Sequence, residues 1–215
     1  MIFKRGKKMK RFLAMALVLA MMAMCLAACG SKKKENAVEL DKPAYERGKV
    51  EGSNWSSEWI GLAFEGGSDF VMSTDEELHS LMEQAGQMFD LSNIDYSALV
   101  NVYEMMAVSL TGDIVVVATE KLQLSNMTLD QYITAFKAQM EVMYGDAVEV
   151  VNSESYTLAG IEFTKLESIM SVNGISVSQV YLLKKVEDRI VILTFSEIAD
   201  GGFEKMATKF SAYKG

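Results

Sequence analysis

Seventeen consecutive residues without a charge, Phe12 to Ala28, constrain this chain more than any other stretch. Six basic side chains precede them: Lys4, Arg5, Lys7, Lys8, Lys10 and Arg11. A basic start, a short apolar run and small residues at its end describe a secretory signal rather than a spanning helix. A helix that crosses a hydrocarbon core of ~30 Å needs about 20 apolar residues, so the run is also short for a span. The part that must fold therefore lies beyond Ala28, and it must fold outside the cytoplasm.

The run ends Leu26-Ala27-Ala28-Cys29-Gly30. This resembles the bacterial lipobox, which implies cleavage before Cys29 and diacylation of that cysteine by palmitate-type chains. The expected result is a lipoprotein held at the extracytoplasmic face of the cell membrane. Cys25 leaves with the signal and Cys29 is taken by lipid, and these are the only two cysteines. The mature chain of 215 − 28 = 187 residues then has no thiol for a disulfide, a nucleophile or a metal site. Its core alone must hold it together.

Residues 1–28 are thus read as the signal, 29–47 as a lipidated flexible tether and 48–215 as one domain. The tether is polar, charged and carries the chain's single proline, Pro43. Such a composition buries too little apolar surface to offset its ordering entropy. Lys32, Lys33 and Lys34 lie beside the lipid, where each basic residue gains about 1 kcal/mol against anionic head groups. All 29 acids come after Cys29 while six of the 21 basic residues precede it, so the mature balance is 15 − 29 = −14. Between Lys49 and Lys121 there are thirteen acids and no Lys or Arg. That field repels phosphate backbones and argues against nucleic acid as a partner.

Within the domain the periodicities separate. Lys49–Ser56 and Glu58–Phe64 read as strands, Glu65 to Asp69 as a turn and Phe70-Val71-Met72 as a short extension. Thr74 and Glu77 form a capping box that opens a helix with Leu78, Leu81, Met82, Ala85, Met88 and Phe89 on one stripe. Val102–Leu110 and Asp113–Leu122 read as strands joined through Thr111-Gly112, and Ile114 to Val117 is apolar on both faces, as in a central strand. Thr128 and Gln131 open a second helix, with Leu129, Tyr132, Ile133, Phe136, Met140, Met143 and Tyr144 as its stripe and Gly145 as a left-handed stop. Strands over 161–170, 175–186 and 189–195 come next, with turns at Asn173-Gly174 and Glu187-Asp188. Asp200 caps a last helix carrying Phe203, Met206, Ala207, Phe210 and Tyr213. The order β-β-α-β-β-α-β-β-β-α, with tight turns between most strands, predicts an α+β fold: a largely antiparallel sheet sandwiched by helices.

Trp59 to Phe64 (WIGLAF), Thr74 to Leu78 (TDEEL), Tyr103 to Ala107 (YEMMA), Thr128 to Ile133 (TLDQYI), Leu158 to Phe163 (LAGIEF) and Phe203 to Met206 (FEKM) together resemble the PsbP-like α/β/α sandwich of bacterial lipoproteins. The resemblance covers nearly the whole domain and implies a non-enzymatic accessory or binding role. Plant members of that family are extrinsic subunits of a membrane complex. No set of binding residues carries over to matching positions.

Catalytic signatures are sparse. His79, the chain's single histidine, falls on the flank of the first helix and reads as a helix residue rather than a base or ligand. Asp90, Asn93 and Asp95 cluster, but Leu91, Ile94 and the missing glycine break the calcium-loop spacing. Asp75, Glu76 and Glu77 suit the positive end of a helix. Trp55, Trp59 and Tyr103 are candidates for an aromatic platform, though packing under a helix is the commoner role. Met105 and Met106 read as core fillers, with an adaptable partner surface as the lesser reading. The sequence therefore predicts no catalytic residue, no metal and no cofactor, with Cys29 as the one functional residue. The expected role is a non-catalytic module at the cell envelope, with the membrane and a protein or envelope component as partners. A hydrolase using paired carboxylates and a weak cation- or solute-binding protein are the alternatives; the former would need two acids about 5–10 Å apart in a cleft.

Overall fold

Alternating apolar residues build two antiparallel sheets, and the longer one organises the molecule. The structure, a computed structural model, describes residues 44–84, 94–145, 148–172, 175–197 and 201–215. The signal, Cys29, Pro43, Ala85, Met88, Phe89, Asp90, Asn93, the Asn173-Gly174 turn and Asp200 lie outside the described residues. The elements are β1 (Lys49–Glu51), β2 (Asn54–Ser57), β3 (Leu62–Glu65), β4 (Phe70–Met72), α1 (Asp75–Gln84), β5 (Asn101–Ser109) and β6 (Ile114–Lys121). They continue as α2 (Leu129–Tyr144), β7 (Val148–Leu158), β8 (Ile161–Val172), β9 (Ile175–Val186), β10 (Arg189–Glu197), α3 (Gly202–Ala207) and β11 (Phe210–Ala212). One sheet runs β4-β5-β6-β10-β9-β8-β7 and the other β1-β2-β3-β11.

The fold is α+β and antiparallel, but its layers differ from the expectation. Successive side chains on a strand point to opposite faces. Val115, Val117, Leu182, Leu193 and Phe195 therefore join Trp55, Leu62, Phe64 and Phe210 in one core, beneath the small sheet and α3. From the other face, Ile190, Ile192 and Leu183 meet Ile133, Phe136 and Met140 of α2, while Ile114, Val116 and Met106 meet Leu78, Leu81 and Met82 of α1. Two long helices thus cover one face of the seven-stranded sheet. A second sheet and a six-residue helix cover the other. The long sheet is not sandwiched by helices, because the first strands of the domain, expected in the same sheet, pair with each other and with β11 as a second one.

Four elements depart locally from the expected pattern. Residues 58–61, expected as the start of a strand, form a turn, and β3 begins only at Leu62. The stretch 49–56 is a hairpin rather than one strand, since Gly52 at φ +62° turns β1 back onto β2. Val148–Leu158, which carried no expected element, is the edge strand β7, returned into β8 by Ala159 (φ +50°) and Gly160 (φ +83°). Phe210 lies not on a helix but on β11, opposite Phe64. Both capping boxes form: Thr74 with Glu77, and Thr128 with Gln131. Gly145 stops α2 at φ +52°, ψ −133°, a glycine conformation outside the left-handed helical region. The central position of β6, between β5 and β10, is as expected.

Candidate binding site

A bulge in β5 sets the site. Its register with β6 shifts between Tyr103 and Met105, so Glu104 has no partner residue in that ladder. Bulges re-aim side chains, and here the re-aimed group is a fully buried carboxylate. Glu104 reaches the segment that leads into β1. Its Oε1 accepts the Tyr45 hydroxyl at 2.5 Å and its Oε2 accepts the Gly48 backbone N–H at 2.6 Å. Residues 45–48 are thereby strapped across the sheet; the packing of the domain reaches back into the stretch read as tether.

Two arginines fasten the same strap, one of them its own Arg47. Arg47 donates from Nε to the Tyr103 carbonyl at 2.9 Å and from a terminal nitrogen to Asp75 at 2.8 Å, joining the strap to the first turn of α1. Arg189, at the start of β10, is buried with its guanidinium carbon 4.0 Å from the centroid of the Tyr45 ring. It donates to the carbonyls of Tyr96, Ser97 and Leu99 at 3.1, 2.9 and 3.0 Å, tying the 94–99 loop to the sheet. Trp59 and Tyr45 meet at right angles with a centroid distance of 5.0 Å, and Thr119 donates to the Tyr45 hydroxyl at 3.0 Å. Gly48 is required by contact rather than by φ. A Cβ there would lie 2.4 Å from Trp55 Nε1 and 2.8 Å from the Ser56 carbonyl.

Burial dominates the electrostatics. It pushes the Glu104 carboxyl above its usual range, against the Tyr45 hydroxyl, the Gly48 N–H and the two arginines, which pull it down. Burial also raises the Tyr45 phenol, helped by the Glu104 charge, and lowers Arg189. At the surface, the Ser97 hydroxyl holds Asp95 below its usual range. Beside the strap opens a cleft of about 650 Å³, walled by the strap, β1, Asp75 and residues 94–97.

The other sequence candidates scatter. His79 Nε2 lies 2.8 Å from the Tyr96 hydroxyl and their rings stack, so the histidine braces the 94–97 wall from α1. Asp95 bonds the Ser97 N–H and hydroxyl within its own turn. Trp55 and Tyr103 are buried in cores on opposite faces of the long sheet, so they form no shared platform with Trp59. Met105 and Met106 are buried on those opposite faces as well, as fillers. No group of three or more His, Cys, Asp or Glu among the described residues could hold a metal ion. Sequence reasoning missed Tyr45, Arg47, Glu104 and Arg189, because their partners lie 28 to 93 residues away. The available signal was Glu104 itself, an acid inside an apolar strand.

No protein-family model and no curated protein sequence matches the chain. Solved structures similar in fold include PsbP (CyanoP) from the cyanobacterium Synechocystis sp. PCC 6803, at 14% identity and TM-score 0.47, covering 80% of this chain and 100% of that one. LpqN of Mycobacterium tuberculosis, described as involved in cell envelope biogenesis, is similar at 9% identity and TM-score 0.40, covering 76% and 86%. A Bacteroides thetaiotaomicron structure matches at 10% identity and TM-score 0.39; the chain covers 50% of its length and 77% of its own. A PsbP is thus among the structures to which the chain is similar, with each of these TM-scores below 0.5. At these identities the likeness concerns fold, and the functional reading rests on the site.

Proposed function

We propose that the chain is a membrane-anchored extracytoplasmic lipoprotein whose domain is a non-catalytic binding or accessory module of the cell envelope. The anchor rests on the signal and the Leu26 to Cys29 motif. The binding reading rests on one observation: the buried ionisable groups of the site are spent on holding the chain's own strap. Glu104, whose raised carboxyl would suit a general acid, is sealed beneath Tyr45 and Gly48 and bonded to both. A catalytic acid must instead reach its substrate. Asp95, which does border the cleft, is held ionised by Ser97 and is a poor proton donor at neutral pH.

Crosslinking tests the reading. With a photoreactive residue in place of Glu46, at the cleft rim, the full chain in its native membrane should capture a discrete envelope component. The same chain reduced to residues 30–215, without signal or lipid and added to the same membranes, should not. Turnover of envelope glycan or peptide by the purified chain, abolished by Asp95→Asn, would instead make it a hydrolase.

A further inference from the structure

The small sheet has an open edge inside the cleft. Among the described residues β1 pairs with β2 alone, and Lys49, Val50 and Glu51 all line the cleft. In an antiparallel ladder, residues alternate between pairs that exchange hydrogen bonds and pairs that turn them outward. Glu51 and Asn54 close a two-residue turn, which places the exchanged bonds on Glu51–Asn54 and Lys49–Ser56. The other side of β2 agrees. The Gly66 N–H bonds the Ser53 carbonyl, so Trp55 faces β3 with its bonds and not β1. Val50, opposite Trp55, therefore turns its N–H and C=O to the open side. Gly48 has the same phase, and its outward N–H is the one that Glu104 accepts. Val50 is the next outward pair along an edge whose first donor is already taken.

We infer that this edge takes an extended, lysine- or arginine-bearing segment of a partner protein, which adds as a strand beside β1 and sets its cationic side chains against the carboxylates of the cleft.

Strand addition draws affinity from main-chain bonds and specificity from alternate side chains. Charge complementarity selects the occupant. Arg47 and Asp75 pair with each other, which leaves Glu46, Glu51 and Asp95 bordering the cleft against Lys49. The Ser97 hydroxyl keeps Asp95 ionised, and that carboxylate is exposed. The stretch from 50 to 120 has no Lys or Arg, and the cations nearest the cleft wall, Lys121 and Arg189, are engaged from behind it by the Ser97 carbonyl. An acidic strand or a nucleic acid would meet more acids than bases along the cleft.

The inference deepens the binding-module reading and depends on it. The test uses the full chain in neutral detergent and a short fluorescein-labelled peptide alternating Lys and Thr, monitored by anisotropy. A Glu–Thr peptide is the charge control, and a Lys–Thr peptide N-methylated at alternate residues is the backbone control. Binding of the Lys–Thr peptide is expected, together with its loss on N-methylation and weakening by roughly two- to fivefold with Glu51→Gln plus Asp95→Asn, both at exposed positions. Equal binding of the N-methylated peptide would mean charge adsorption, and an unaltered affinity in the double variant would place the contact elsewhere; either overturns the inference. If neither peptide binds, the inference fails while the binding-module reading stands. Cleavage of the bound peptide would sink that reading itself.

Discussion

At the scale of single residues, Glu104 is the pivot. Its carboxylate has two donors and two arginines about it, yet burial still raises its pKa. A raised acid stabilises the fold fully below its ordinary value of 4.5, and that contribution is lost as pH climbs through the folded value. Glu104→Gln should remove this dependence. The amide can accept from Gly48 and donate to Tyr45, whose hydroxyl then turns to Thr119. Denaturant midpoints measured from pH 4 to pH 8 should therefore fall with pH for the wild-type chain relative to the variant; parallel profiles would contradict the assignment. Tyr45→Phe withdraws a donor from a buried carboxylate and should cost about 1–3 kcal/mol, read in the same titration. Gly48→Ala should dislodge the strap, because Trp55 Nε1 and the Ser56 carbonyl leave no room for a methyl group. Faster proteolysis near residue 45, with the rest of the domain still resistant, is the expected sign.

At the scale of elements, local rules carried far. Both capping boxes, the central strand β6 and the turns at Thr111-Gly112 and Glu187-Asp188 could be read directly, since each depends on neighbours in sequence. What could not be read was how strands pair over distance. β7 alternates weakly, because an edge strand has one neighbour and several of its side chains face solvent. β11 is three residues long and exists only because β3 accepts it. Phe210 shows the consequence. Its place in the core was legible, but its secondary structure was not. It packs on Phe64 and Phe195 at centroid distances of 5.1 and 5.9 Å. Phe210→Ala should cost about 3–5 kcal/mol, a large part of a total of roughly 5–15 kcal/mol. Lys209→Ala removes a surface pair with Asp69 and a distant contact with the Phe70 ring, and should cost about 1 kcal/mol or less. Equal shifts in denaturant midpoint would mean that β11 does not close the core.

At the scale of the whole molecule, the strap joins the anchor to the binding surface. Residues 45–48 are the last of the chain before the small sheet begins, and they are fixed by bonds to β5, α1 and β10. A lipid at Cys29 would then lie sixteen residues from a rigid attachment point, within about 55 Å of extended chain. The cleft and the open edge of β1 adjoin that attachment, so the proposed binding surface would work close to the membrane. Everything in this arrangement depends on the state of Cys29. Mass spectrometry of the N-terminal peptide, taken from the membrane-bound chain, tests it most directly. The expected peptide begins at Cys29 and carries a thioether-linked diacylglycerol. A peptide with a free Cys29 thiol, or one still joined to residues 1–28, would contradict the lipid anchor and the membrane-proximal role built on it.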